Sequence, residues 1–310
     1  MRRLILLVAS LVAVIAAVAV LIVLRHGHDE AAPRLSVPRE VAPAPAPPPG
    51  SMVLARESRE LAVAIAASPG RLLDVRATIV GQSGRGVDGL AVRLTASSRS
   101  SRATRAARPC GHGCYGATLP ISAPTELAVK VTRSGAPRTV IFPIAGRWPP
   151  MNGEAFLSRA SRAFRRLRTV LLLERLSSGP GHSILTTWKL AAPDRLEYEI
   201  RGGPGGIVIG TRRWDRPKPG APWTASETTL LSQPTAPWGT RVANAHVLTE
   251  TPRRLTASWL DPVVPAWFTA TFDRRTALPV VLRMTAPAHF MLHRYLAFNR
   301  KVRIEPPAPK

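Results

Sequence analysis

The chain has 310 residues, 45% of them hydrophobic, and a formal net charge of +24. That apolar share is ample for packed cores and excludes a globally disordered chain, and the length allows two domains beyond a terminal segment. The charge is almost wholly arginine, with Lys only at 130, 189, 218, 301 and 310; the excess of base is either a merely soluble basic surface or the mark of a phosphate-rich partner, a nucleic acid or an anionic membrane surface.

The first residues decide between these two partners. Met1-Arg2-Arg3 is followed by an apolar run from Leu4 to Leu24, broken only by the hydroxyl of Ser10 and closed by Arg25. At ~1.5 Å per residue a helix over this run is roughly 30 Å long, enough to cross a bilayer. Residues 1–25 are therefore expected to form a transmembrane signal-anchor. A cleaved signal peptide is the competing reading, with an apolar core of about 7–15 residues and a small-x-small cleavage site. Here the run is longer and meets Arg25-His26-Gly27-His28-Asp29-Glu30. The arginines before the span, and the acids after it, orient the N-terminus to the cytoplasm. A single-pass cell-membrane protein with an extracytoplasmic bulk follows, and the expected partner of its charge is the membrane rather than a nucleic acid.

Residues 26–56 read as a linker. The stretch 31–50, AAPRLSVPREVAPAPAPPPG, is an extended proline-rich spacer at ~3 Å per residue, roughly 60 Å at full reach. From 57 to 147 short alternating runs predict strands at 61–65, 73–80, 90–94, 126–131 and 139–142, separated by Gly/Pro/Ser turns. Such a set makes a small β-sandwich. Trp148-Pro149-Pro150 marks the next boundary.

Residues 148–310 form the second expected domain. Asn152 is a candidate N-cap, and Phe156, Ala160, Phe164, Leu167 and Leu171 recur at helical spacing, predicting an amphipathic helix over 154–171. Strand-like runs follow at 169–176, 183–190, 195–201, 206–214, 246–251, 254–260, 267–272, 279–285 and 289–298. A sheet of that size curls, and a helix over its open side buries the inner face. The fold class is thus mainly β (α+β).

Two stretches resemble known families. Residues 57–145, with GQSGRGVDGLAVRL and PCGHGCYGATLP, resemble the immunoglobulin-like YtkA/CopC-like module found near copper-resistance membrane proteins of actinobacteria. Residues 152–307, with ILTTWKLAAPDRLEYEI, VIGTRRWD and FDRRTALPVVLRMTAPAHFM, resemble the domain that follows it there, which is similar in layout to the LolA/LppX-type lipoprotein carriers. The resemblance implies an unclosed β-barrel with a helical lid over an apolar cavity.

Three groups of residues carry candidate chemistry. Cys110-Gly111-His112-Gly113-Cys114 is either a disulfide closing a hairpin, as an oxidising exterior favours, or a soft-metal site of two thiolates and His112. His289, Met291 and His293 share one face of a strand and could ligate copper; the same alternation puts Phe290 and Leu292 on the buried face, which makes an exposed polar strand face the simpler reading. Among seven tryptophans, Trp188, Trp214 and Trp259 are candidates to line a lipid cleft together with Phe156, Phe164 and Leu167. No G-x-S-x-G, H-E-x-x-H or P-loop occurs, and 202–206, GGPGG, lies between strand-like runs, so an enzyme is not expected. Two functions remain: holding a lipid or a lipoprotein acyl chain, or handling copper beside a copper-resistance membrane protein. A cavity filled by its own side chains is the plain alternative to both.

Overall fold

Period-two alternation is widespread in the chain, and its outcome is a mainly β, antiparallel architecture in which, among the described residues, no sheet closes into a barrel. The computed structural model describes residues 44–308 apart from 134, 135, 145, 239, 240 and 264. The expected anchor at 1–25 and most of the linker lie outside the described residues. Among the described residues no helix is long and apolar enough to cross a membrane.

The first sheet contains β1 (Met52–Ser58), β2 (Leu61–Ser68), β3 (Leu73–Val80), β6 (Arg108–Gly111) and β7 (Cys114–Leu119), in the order β1-β2-β3-β7-β6. The second contains β4 (Ala91–Ser97), β5 (Arg102–Ala106), β8 (Glu126–Arg133) and β9 (Ala136–Pro143), in the order β5-β4-β8-β9. Val63, Ile65, Val75 and Ile79 from the first share one core with Val92, Leu94, Val129 and Phe142 from the second. Alternate residues face this core because a strand presents every second side chain to one side.

The third sheet has twelve strands. Its members are β10 (Met151–Asn152), β11 (Thr169–Gly179), β12 (His182–Ala191), β13 (Arg195–Ile200), β14 (Gly205–Ile209), β15 (Arg212–Arg216), β16 (Thr224–Glu227), β17 (Ala243–Glu250), β18 (Arg254–Asp261), β19 (Ala266–Asp273), β20 (Pro279–Ala286) and β21 (His289–Phe298). They run in the order β10-β17-β18-β19-β20-β21-β11-β12-β13-β14-β15-β16. The single run expected at 206–214 is two strands, because Gly210, at φ 61°, turns the chain between β14 and β15. Strands β1, β5, β6, β7, β10 and β16 are not expected from the pattern: β1 falls almost wholly in the expected linker, and the short, charged or glycine-broken sequences of the others carry little alternation.

The expected linker ends earlier than residue 56. Met52, Val53 and Leu54 are buried in β1, since Met52 and Leu54 enter the core between the first two sheets while Val53 points the other way. On that other side Val53, Ala62, Ala64 and Ala66 pack on Leu260, Trp267 and Phe290 of the third sheet. Strand β2 is thus covered on both faces, which its nearly unbroken apolar sequence LAVAIAAS requires. Hydrogen bonds tie the seam: Asn244 Nδ2 donates to Pro48 O at 2.7 Å and Ser51 O at 2.9 Å, and Gln82 Nε2 donates to Ser178 O at 2.9 Å. Residues 42–310 form one compact unit. All of its described strands pair within it around its own cores, the requirements for a part of a chain to fold alone.

The helix α1 spans Glu154–Arg165, shorter than the expected 154–171. Leu167 is buried in the turn that follows and Leu171 belongs to β11, so the helical spacing of Leu171 was coincidental. Gly153 is the N-cap rather than the expected Asn152, which lies one residue before it and whose Oδ1 accepts from the Glu154 N–H at 2.8 Å. Leu157, Ala160 and Phe164 face inward and the arginines at 159, 162, 165 and 166 face solvent. Burying Leu157 and Phe164 contributes roughly 1.5–3 kcal/mol each.

Candidate functional site

The inner face of the third sheet, the one that α1 covers, can be read row by row from strand register. Trp259, Phe268 and Met284 lie side by side across β18, β19 and β20. A second row runs Leu282, His293, Glu174, Thr186 and Ile200 over β20, β21, β11, β12 and β13. A third runs Tyr295, Leu172, Trp188, Tyr198, Gly206 and Asp215. The face is apolar at the β18–β19 end and turns polar from β21 onward.

Aromatic rings fill the apolar end. Trp259 stacks on Phe268 at 5.3 Å between centroids. Phe164 of α1 meets Trp238, Tyr295 and Phe298 edge-on at 5.2, 6.0 and 6.5 Å, and Phe156 meets Phe272 at 5.2 Å. Trp238 belongs to the segment between β16 and β17, and its Nε1–H donates to Ser161 Oγ of the helix at 2.9 Å. Helix and segment therefore close over the sheet together.

The polar part centres on Glu174. Its Oε2 accepts from His293 Nε2–H at 2.7 Å and its Oε1 accepts from Trp188 Nε1–H at 3.3 Å. The His293 and Glu174 side chains are only 7% and 13% exposed, and a carboxylate at such a depth must be paired to stay there. Trp188 lies 5.2 Å from Tyr198, whose hydroxyl donates to Asp215 Oδ1 at 3.3 Å. Arg213 holds Asp215 with two bonds, at 2.6 and 2.8 Å. Burial, then the Asp215 charge, pushes the Tyr198 phenol above its ordinary pKa. Gly206 sits opposite Tyr198 in register, and a Cβ there would strike the tyrosine ring; glycine lets the phenol lie across β14.

Three buried polar atoms of this face have no protein partner among the described residues: Trp259 Nε1, His293 Nδ1 and Tyr295 Oη. Burial first, and the Glu174 charge second, raise the Tyr295 phenol far above its ordinary value, so it stays a neutral hydroxyl. Buried polar groups left unpaired cost about 1–3 kcal/mol each, and Ser258 Oγ and Arg216 Nε are likewise without a partner among the described residues.

Of the six residues expected to line a cleft, five lie on this inner core and Trp214 does not. Phe164 and Trp259 are fully buried among the protein's own side chains, Leu167 is buried, and Phe156 and Trp188 are half-buried on the same core. Trp214 is not on this face. It packs with Ala191, Ile207 and Ile304 on the opposite side, because its register partner Ile207 points outward. The row of His289, Met291 and His293 is not an exposed polar face either: His289 and Met291 are half-buried and His293 is buried. It points inward because the sandwich covers the other side of β21, where Phe290 is buried against β1 and β2. Leu292, expected in the core, is only half-buried. His289 Nδ1 lies 3.2 Å from Pro287 O.

Cys110 and Cys114 form a disulfide. His112 does not join them: its Nδ1 is 3.1 Å from Asp88 Oδ2, while Asp88 Oδ1 accepts from Gly113 N–H at 2.7 Å. That backbone hydrogen bond, and then His112, hold the Asp88 carboxyl below its ordinary pKa. Among the described residues no three His, Cys, Asp or Glu side chains converge as a metal-binding group. Glu174, Tyr198, Tyr295 and Trp238 were not singled out in the sequence; a charged residue at an inward position of β11, between Leu172 and Leu176, is the one signal that points to Glu174. No protein-family model matches the chain, and no curated protein matches it.

Proposed function

We propose that this protein is a membrane-anchored extracytoplasmic binding protein that holds an amphiphile, a lipid or a lipoprotein acyl chain, between the third sheet and α1. The observation that carries this reading is the inner face itself: aromatic at one end, with three unpartnered buried polar atoms beside it. An acyl chain would lie along Phe156, Phe268, Met284 and Met291, and its polar group would meet Tyr295 and His293 on β21. Because Phe164 and Trp259 are fully buried, entry requires α1 or the segment bearing Trp238 to move aside. In this reading the first two sheets are the immunoglobulin-like module and the third sheet is the unclosed, lidded half-barrel of the LolA/LppX-type carriers.

A second reading, copper handling in the cell envelope beside a copper-resistance membrane protein, is favoured by one observation. Met284 and Met291 are cross-strand partners, His293 follows Met291 on the same face, and its Nδ1 is buried and unpartnered. Two thioethers and an imidazole suit Cu(I), with Glu174 fixing the ring through the other nitrogen. Native mass spectrometry of protein purified from membranes separates the readings. Mass excess in the lipid range supports the first, an excess of one copper supports the second, and bare protein from copper- and lipid-replete cells contradicts both.

A further inference from the structure

The outer face of the third sheet is covered at two places. Strands β1 and β2 cover it over Leu260, Trp267 and Phe290, and the C-terminal residues Val302 and Ile304 cover it over Ala191, Ile207 and Trp214. Between them lies an open window formed by β20, β21, β11 and β12. Register places Arg283, Leu292, Arg175 and Leu185 in one row across it. The adjacent row is Val281, Arg294, Leu173 and Thr187. Arginine and leucine alternate along the first row, and Val281 and Thr187 end the second, so three arginines are interleaved with mostly apolar side chains over four strands, roughly 15 Å at the ordinary strand spacing.

Arg175, Arg283 and Arg294 are exposed, as is Arg56 on neighbouring β1. None of the four has a carboxylate partner among the described residues. Glu199, at the margin, is already paired with Arg216 at 2.8 Å. Partial burial, and then repulsion from Arg56, Arg175 and Arg294, hold the Arg283 guanidinium below its ordinary pKa; an anion placed among the four relieves that repulsion. Leu173 and Leu185 are 40% and 39% exposed and border, with Thr187, Glu199 and Arg201, a depression of about 360 Å³ that Glu174 and Thr186 also line.

We infer that this window, Arg56, Arg175, Arg283 and Arg294 interleaved with Leu173, Leu185 and Leu292, is a docking face for the anionic headgroup layer of a membrane. Guanidinium groups take phosphates bidentately, and leucines between them enter the apolar zone just beneath the headgroups. A soluble polyanion would match the charge but leave those leucines against water, and an acidic protein would need carboxylates in the same spacing. The inference goes beyond the ligand-binding reading of the inner face and does not depend on it, since the two faces are opposite sides of one sheet.

Co-sedimentation of residues 44–310 with vesicles tests it, using phosphatidylcholine alone and an equimolar mixture with phosphatidylglycerol. Binding is expected only to the anionic vesicles. Arg175→Gln/Arg283→Gln/Arg294→Gln should weaken it by about hundredfold, from the usual contribution of each basic residue near an anionic surface. Arg102→Gln/Arg105→Gln/Arg108→Gln removes the same charge from the exposed strands β5 and β6 and should leave binding within about threefold of wild type. Circular dichroism melting checks that each variant is folded. Equal losses in the two triple variants would overturn the inference in favour of net charge alone. So would binding to heparin or to an acidic protein fraction with no binding to anionic vesicles.

Discussion

Replacing Phe164 with alanine probes the contact on which the lidded inner face depends. The ring is fully buried and meets Trp238, Tyr295 and Phe298 edge-on within 6.5 Å. Removing it leaves a cavity where helix, sheet and covering segment meet. A buried Phe→Ala change costs roughly 3–5 kcal/mol, and lost edge-to-face pairs place this site toward the upper end. For a unit of this size each kcal/mol lowers the melting temperature by roughly 2–4 °C, so a drop of roughly 6–20 °C is expected by calorimetry or circular dichroism. Phe164→Asp should cost more, because it sets a carboxylate against the same rings, and should also release any resident amphiphile. A Phe164→Ala protein melting at the wild-type temperature would show that α1 does not pack on the sheet, and the lidded face would have to be given up.

Glu174→Ala strands the His293 Nε2 and Trp188 Nε1 donors at roughly 1–3 kcal/mol each, whereas Glu174→Gln keeps an acceptor and should lose about half as much in urea denaturation. Cys110→Ser/Cys114→Ser opens a very short loop and should cost about 2 kcal/mol in the loop-entropy account; thiol labelling of native, unreduced wild-type protein should find no reactive cysteine. The Asp88 carboxyl has a depressed pKa in the folded protein, so its contribution is present above the unfolded aspartate value of 3.8 and is lost as pH falls through the lower folded value. Asp88→Asn should therefore flatten the acid limb of the stability–pH curve, and an unchanged limb would argue against the Gly113 and His112 bonds. Protease added to spheroplasts should digest the region after residue 56, while protection of that region would reverse the proposed topology.

The strands of the third sheet are legible wherever apolar and polar residues alternate over six or more positions, as in β18 and β19. What the pattern could not supply was which side of each strand the rest of the chain would cover. Phe290 is buried as the alternation predicts, but its cover is the first sheet. The opposite side of β21, with His293 and Tyr295, is therefore also inside, where a one-sided sheet would have left it in water. Trp214 shows the same limit, since the C-terminal Val302 and Ile304 that bury it carry no periodic signal. The helix was overextended because Leu167 and Leu171 continue its spacing after the chain has left the helix. Glu174 and His293 are 119 residues apart, and only the β11–β21 pairing brings them together.

A photoreactive fatty acid, crosslinked to the protein and mapped by peptide mass spectrometry, tests most directly whether a ligand lies between the third sheet and α1. The account predicts adducts on the half-buried inner-face residues Phe156, Trp188, Tyr198, Met284 and Met291, with labelling diminished by Phe164→Asp. Adducts confined to the outer face around Leu173 and Leu185, or labelling unaffected by that substitution, would contradict it.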